Sequence, residues 1–110
     1  KIVMSKQRQE LVATIYDKRG RILARGMNSY HKSHPMQYRF AREAGRPEAI
    51  FLHAEIHALT RLKDWSCAHR IVIERYGKGG VPLLAKPCEI CERAIHEAGI
   101  EHIEYTEYAA

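Results

Sequence analysis

Four strand-length segments constrain the fold of this chain more than any other feature. Residues 11–16 (LVATIY) and 21–28 (RILARGMN) are apolar and partly β-branched, and DKRG between them has the residues of a hairpin turn. The run at 70–76 (RIVIERY) has the length and apolar character of a buried central strand, and 102–107 (HIEYTE) alternates as a last strand. The sequence therefore predicts a sheet that begins with an antiparallel hairpin.

Two segments with helical spacing of apolar residues lie between these strands. We expect the first helix to run from Ala54 to about Trp65, and the second to follow Pro87 and to end at Gly99 in the left-handed conformation. The apolar positions are Ala58, Leu59, Leu62 and Trp65 in the first helix and Cys91, Ala94, Ile95 and Ala98 in the second. Strands separated by helices favour parallel pairing through right-handed crossovers, so this order predicts an α/β sandwich around a mixed sheet.

The composition fits a single compact domain, which we place at residues 1–110. With 45% hydrophobic and 28% charged residues, the chain can bury a core, which argues against disorder. No apolar run approaches the roughly 20 residues of a spanning helix, and no apolar signal core follows Lys1, so we expect a cytoplasmic protein without membrane contact. The net charge of +5 favours a phosphate-bearing partner, or it simply keeps the surface soluble.

Cys88 and Cys91 fall in the predicted first turn of the second helix, just after Pro87. At a helix start, the free N–H groups and the helix dipole favour negative charge, so both thiols should ionise more readily than free cysteine. Two thiolates side by side on one helix face are suitable zinc ligands. The remaining cysteine, Cys67, is expected to be a small buried hydrophobic residue.

His53, at the start of the first helix, is the strongest candidate for a further ligand, because zinc accepts imidazole together with thiolate. Residues two apart in a regular helix point roughly 200° away from each other, so His53 and Glu55 can converge only if His53 lies at the helix entry. His53 and His57 would share a face of a regular helix and could instead form a two-histidine site. We expect His57 to be a core residue or to support a ligand.

The long polar segment 29–51 places aromatic residues between cations. A connection of this length inside a small domain indicates a functional loop or a short additional helix. Tyr30, His31 and Lys32 at its start could stack a base and hold phosphates, and a groove for single-stranded nucleic acid uses the same residue types. The alternative is a solvated basic loop that packs through its aromatic residues.

The motifs HAE at 53–55 and PCEIC at 87–91 match the pattern H-x-E…P-C-x-x-C. With them, the chain resembles the zinc-dependent cytidine and deoxycytidylate deaminase superfamily over about residues 11–105. The resemblance implies a three-layer α/β sandwich, with a mixed sheet of four to five strands and helices on both faces. It also implies one catalytic zinc ion, held by His53, Cys88 and Cys91, with the fourth position left to water.

The same resemblance implies roles for other residues. Glu55 would carry protons between the water, N3 of cytosine and the leaving ammonia, while zinc-bound hydroxide attacks C4. Asn28 matches by position the family asparagine that contacts the sugar. The other expected substrate contacts are Ala54, Tyr30, His31 and Lys32.

The resemblance favours hydrolytic deamination of cytosine to uracil in a nucleotide, with deoxycytidylate as the reference substrate. Cytosine in single-stranded DNA or RNA is the alternative, and adenosine in tRNA is a third, because HAEIHAL at 53–59 resembles that group. A different class of answer is a catalytically silent module that folds around zinc and binds nucleic acid. Glu55 argues against it, since a silent relative has no need of a proton carrier. The oligomeric state stays open.

Overall fold

The computed structural model describes residues 10–109, which form a mixed sheet with helices packed against it. The strands are β1 (Leu11–Tyr16), β2 (Ile22–Met27), β3 (Arg70–Arg75) and β4 (His102–Tyr105). They lie side by side in the order β2-β1-β3-β4, with β1 antiparallel to β2 and β3, and with β3 parallel to β4. The predicted α/β class, the hairpin and the mixed four-stranded sheet are confirmed.

Three α-helices accompany this sheet: α1 (Pro35–Glu43), α2 (Ala54–Thr60) and α3 (Glu89–Glu97). α1 lies inside the long polar segment, so that segment contains a short helix of its own. α3 is followed by Gly99 at φ +79°, the left-handed end that the sequence predicts. None of the helices in residues 10–109 offers the apolar length needed to cross a membrane, since the longest have 9 residues.

α2 is shorter than predicted, because it ends at Thr60 and not near Trp65. Trp65 begins a short 3₁₀ turn, which Asp64 caps by accepting a hydrogen bond from Ser66 N. From this turn the indole N–H of Trp65 donates to Leu59 O at 3.1 Å, so the side chain contacts α2 without belonging to it. The expectation of a buried Cys67 is wrong, because Cys67 lies exposed in the same turn.

The buried face of the sheet carries Ala13, Ile15, Ile71 and Ile73, all 0% exposed. α2 packs against β1 and β2, and it comes closest at Gly26, the register partner of Ala13. A Cβ atom on that glycine would lie 2.3 Å from the backbone nitrogen of Ala58, so no larger residue fits there. The close approach brings the start of α2 to the edge of the sheet where β2 ends.

The opposite face of the sheet carries long polar side chains. Arg70 forms an ion pair with Glu104 at 3.1 Å and lies over the ring of Tyr16, while Arg25 Nε donates to Thr14 Oγ1. The three helices contact one another, and α2 contacts the buried face.

Candidate metal centre and active site

Two helix starts carry the residues of the candidate metal centre. His53 is the N-cap residue of α2, with extended backbone angles of φ −82° and ψ 154°, and Cys88 is the N-cap residue of α3. Cys91 lies in the first turn of α3 and is fully buried. Because His53 precedes the regular helix, it can share a site with Glu55, as the sequence analysis required.

The three candidate ligand side chains converge. His53 Nδ1 lies 3.3 Å from Cys91 Sγ and 3.5 Å from Cys88 Sγ, and the ligand atoms all lie within 4.8 Å of one another. Ligand atoms on a tetrahedral zinc ion lie roughly 3.5 Å apart, given the usual Zn–S and Zn–N bond lengths. One imidazole nitrogen and two sulfurs at these separations fit zinc, and the group could hold one ion.

The two thiols differ in acidity. The hydrogen bond from Cys91, with that from His53, lowers the pKa of Cys88 to about 3. The same bond to Cys88, together with burial, raises the pKa of Cys91 well above its ordinary value. Cys88 is therefore the more acidic of the two sulfurs, and Cys91 is the donor in the hydrogen bond between them. A cation that binds both sulfurs must displace the proton of Cys91.

Glu55 lies in the first turn of α2 and is only 4% exposed. Burial raises the pKa of this carboxyl group, because removal from water disfavours the charged form. Glu55 lines the same cavity as His53 and Cys88. A carboxyl group with a raised pKa beside a metal centre is suited to accept and return a proton.

The cavity beside the metal centre has a volume of about 380 Å³, within the usual size of small-molecule sites. Asn28, Tyr30 and Ala54 line it, so three of the predicted substrate contacts lie where a ligand of the metal centre would bind. The Asn28 Oδ1 atom accepts a hydrogen bond from Leu11 N at 2.7 Å. Since the oxygen is engaged, the amide nitrogen is the group that Asn28 can offer to a ligand.

The other two predicted contacts, His31 and Lys32, line a neighbouring cavity of about 430 Å³. Asn28 and Tyr30 line both cavities, so the two adjoin each other. Ser29 Oγ accepts hydrogen bonds from the backbone nitrogens of His31 and Lys32, at 3.2 and 2.9 Å, and so shapes this part of the chain. Lys32 and His31 are thus next to the metal cavity, not inside it.

His57 does not join His53 in a two-histidine site. Its Nδ1 atom accepts a hydrogen bond from Met27 N at 3.0 Å, which ties α2 to the end of β2. The group of ligand atoms that residues 10–109 bring together contains His53, Cys88 and Cys91 and not His57. We expected His57 to be a core residue or to support a ligand; its side chain is only partly buried, and its hydrogen bond runs to Met27, so the support of a ligand stays a prediction.

Sequence reasoning missed two contributors to the site. Residues 48–52, which were not expected to line a cavity, form part of the wall of the metal cavity. Gln37, on α1, is fully buried and donates to Ala49 O while it accepts from His53 N. The signal for Gln37 was its helical spacing with Phe40 and Ala41, the other buried residues of α1.

Comparison with known families gives the same assignment as the geometry. The family model described as the cytidine and deoxycytidylate deaminase zinc-binding region matches residues 2–107. The chain belongs to this family. Comparison with curated proteins gives no significant match. The predicted resemblance is confirmed, and the deaminase is a hydrolase whose chemistry is zinc-dependent deamination.

Family membership accounts for the donor set. A histidine and two cysteines are the zinc ligands of this class of deaminases, and three protein ligands leave one position of a tetrahedral ion open for the reaction. The zinc cofactor predicted from the two motifs is therefore supported by both the family and the convergence of His53, Cys88 and Cys91.

Proposed function

We propose that this deaminase removes the amino group of cytosine in a nucleotide by hydrolysis, with deoxycytidylate as the reference substrate. The observation that carries the proposal is the buried carboxyl group of Glu55, which shares one cavity with the metal-ligand group and with Asn28. Burial of a carboxyl group costs free energy, so a buried glutamate beside a metal centre is a candidate for a functional role. In this family the chemistry requires a glutamate that transfers protons.

His53, Cys88 and Cys91 would hold the zinc ion, which when bound supplies a water of lowered pKa as the nucleophile. Glu55 accepts a proton from the attacking water and delivers it to N3 of cytosine. After attack at C4, Glu55 takes the remaining proton from the new C4 hydroxyl group and gives it to the exocyclic amino group; the C4–N bond breaks, ammonia leaves, and the C4 carbonyl of uracil remains. Cytosine and water are thus converted to uracil and ammonia, with no net change in the enzyme.

The environment of Glu55 suits this cycle. Burial raises its pKa, so the carboxyl group retains the proton between the two transfers more readily than an exposed glutamate would. The hydrogen bond from Leu11 N to Asn28 Oδ1 fixes the orientation of the amide group. The amide nitrogen of Asn28 would then donate to a sugar hydroxyl group. Tyr30 and Ala54 complete the wall where the base would lie.

A phosphorylated substrate suits the charge of the molecule. The net charge of +5 attracts anions, and Lys32 and His31 line the cavity that adjoins the metal cavity. A nucleotide with its base at the metal centre and its sugar at Asn28 would direct its phosphate towards these two side chains. Deoxycytidylate, with one phosphate, is therefore the reference and not deoxycytidine.

Cytosine in single-stranded DNA or RNA is the second candidate. The observation that favours it is the size of the adjoining cavity, about 430 Å³, which is no smaller than the metal cavity. A neighbouring nucleotide of a strand could occupy it and stack on an aromatic side chain such as Tyr30. The polynucleotide reaction would differ from the mononucleotide reaction in its response to salt.

The test is a substrate panel with zinc-loaded protein: deoxycytidylate, deoxycytidine, deoxycytidine triphosphate and a cytosine-containing oligonucleotide, with uracil products measured by chromatography. We expect deoxycytidylate to give the highest kcat/KM, with little dependence on salt. A preference for the oligonucleotide, with a rate that falls steeply as salt rises, would show that the substrate is single-stranded nucleic acid and not a mononucleotide. No uracil from any of the four compounds would leave a silent zinc-folded module as the better account.

A further inference from the structure

Gln37 connects α1 to the metal centre, although no motif includes it. Its side chain is 0% exposed, its Nε2 atom donates to Ala49 O at 2.9 Å, and its Oε1 atom accepts from His53 N at 3.1 Å. One amide group thus holds both ends of the short segment 49–53, which forms a wall of the metal cavity and ends in a metal ligand.

We propose that Gln37 is a positioning residue for the metal centre: it sets the direction of the His53 imidazole through the backbone of His53. The proposal rests on the zinc site of the proposed function, but it concerns the assembly of that site and not the substrate. It assigns to α1, which carries none of the proposed catalytic or ligand residues, a part in metal binding.

The backbone of His53 needs such a partner. As the N-cap residue, His53 lies before the first regular turn, so its N–H group has no acceptor within α2, and its side chain makes no capping hydrogen bond. Gln37 supplies the acceptor. On the preceding residue, Leu52 N donates to Lys32 O at 2.8 Å. Two successive backbone N–H groups are therefore fixed, which leaves the Cα–Cβ bond of His53 little freedom to turn away from the two sulfurs.

The opposing ligands have a different kind of support. Cys91 lies in the first turn of α3, and Cys88 directly precedes that turn as the N-cap residue, with its carbonyl oxygen accepting from Glu92 N at 2.8 Å. His53 is also an N-cap residue, but its N–H group bonds to Gln37, which lies 16 positions away in the sequence. Loss of Gln37 should therefore misplace the imidazole relative to two sulfurs that stay in position, which weakens the site without removing a ligand.

The experiment measures zinc affinity and ligand geometry in the Gln37→Met variant of this chain. Methionine has a similar length and keeps the packing, but it neither donates nor accepts as an amide does. We expect zinc to bind roughly tenfold more weakly, by competition with a chromophoric chelator, because support around a ligand is commonly worth about 10- to 100-fold in affinity. With Co²⁺ in place of zinc, we expect the d–d absorption bands of the variant to shift in position and intensity.

The matched control is Phe40→Leu, a substitution of another fully buried side chain on α1 that makes no bond to His53. It should lower the thermal midpoint of unfolding, as Gln37→Met does, and leave the zinc affinity and the Co²⁺ spectrum unchanged. If Gln37→Met does not fold, Gln37→Asn takes its place with the same expectation, since its amide is one methylene too short to reach both partners.

Equal losses of zinc affinity in the glutamine variant and in Phe40→Leu would overturn the proposal, because Gln37 would then act only through the stability of α1. An unchanged Co²⁺ spectrum in a folded Gln37 variant would also overturn it. Neither readout involves turnover. A protein that needs Gln37 for zinc but deaminates nothing in the substrate panel would therefore refute the proposed function and leave this inference standing.

Discussion

The metal centre (His53, Glu55, Cys88 and Cys91) and the substrate segment (residues 28–32) are neighbours that are built in different ways. Residues 28–30 line the metal cavity, and residues 31 and 32 line the cavity that adjoins it. The metal centre is formed at the starts of two helices, with Cys91 and Glu55 almost fully withdrawn from solvent. The substrate segment follows β2 as irregular chain, with Tyr30, His31 and Lys32 exposed. Its shape comes from hydrogen bonds such as those of Ser29 Oγ.

The difference indicates how each part responds to change. The metal centre lies at two helix starts and acts around one cation, so the loss of any of its four side chains should remove most of the turnover. A segment of exposed side chains contributes separate hydrogen bonds and charges, so each loss should be small and should depend on the substrate. The following predictions test that contrast, and the largest effects should all come from the metal centre.

Cys91→Ser should have the largest effect. Serine replaces a buried sulfur ligand by a hydroxyl group, so we expect zinc affinity to fall by more than about 100-fold and turnover to become undetectable. Zinc content by elemental analysis and uracil formation measure the two effects. Cys67→Ser is the matched control, because Cys67 is exposed on a turn and makes no part of the ligand group. Zinc retained at full occupancy by the Cys91 variant would contradict the assigned ligand set.

Glu55→Gln should separate chemistry from metal binding within the metal centre. Glutamine keeps the shape of the side chain but cannot carry a proton, so kcat should fall by about 10²- to 10⁴-fold, the usual contribution of general acid–base catalysis. The zinc content should stay at one ion per chain, because Glu55 is not among the grouped ligands. Turnover close to that of the unaltered protein would remove Glu55 from the mechanism.

The metal centre was predictable because its geometry is local. The i,i+3 pair Cys88 and Cys91 has its spacing fixed by one helical turn, and the placement of His53 at a helix entry followed from the predicted start of α2. The convergence of two such starts on one cation then followed from the family pattern. The strands were predictable for the same reason, because alternation and length are properties of short segments.

The roles of Gly26 and Gln37 were not predicted, and the prediction of a buried Cys67 was wrong, because all three depend on how distant parts of the chain pack. Gly26 is required by the approach of Ala58 from α2, and Gln37 bonds to residues that lie 12 and 16 positions away. Cys67 is exposed because α2 ends early and a turn follows. The spacing of residues along the sequence does not indicate how closely two elements pack, so contacts between distant residues could be identified only from the structure.

Asn28→Asp should give an intermediate effect and tests the substrate segment. Aspartate keeps an oxygen for Leu11 N but loses the amide nitrogen that would hold the sugar, so stability should change little while kcat/KM falls roughly three- to tenfold, the value of one hydrogen bond. Deoxycytidine is the suitable substrate, because it carries no phosphate for the new carboxylate to repel. Asn28→Ala, which also removes the acceptor for Leu11 N, should in addition lower the thermal midpoint. If kcat/KM fell as far in the aspartate variant as in Glu55→Gln, the substrate segment would not differ from the metal centre in its response to substitution.

Lys32→Ala should have the smallest effect and the one most specific to the substrate. An exposed lysine contributes only about 0.2–1 kcal/mol to an ion pair, so KM for deoxycytidylate should rise roughly two- to fivefold at low salt, while KM for deoxycytidine stays constant. Lys18→Ala is the matched control, since Lys18 is an exposed lysine in the β1–β2 turn and its loss changes the net charge equally. An equal rise of KM in both variants would assign the effect to net charge alone. A rise for deoxycytidine as well would place Lys32 against the base or sugar, and the phosphate would then need another partner.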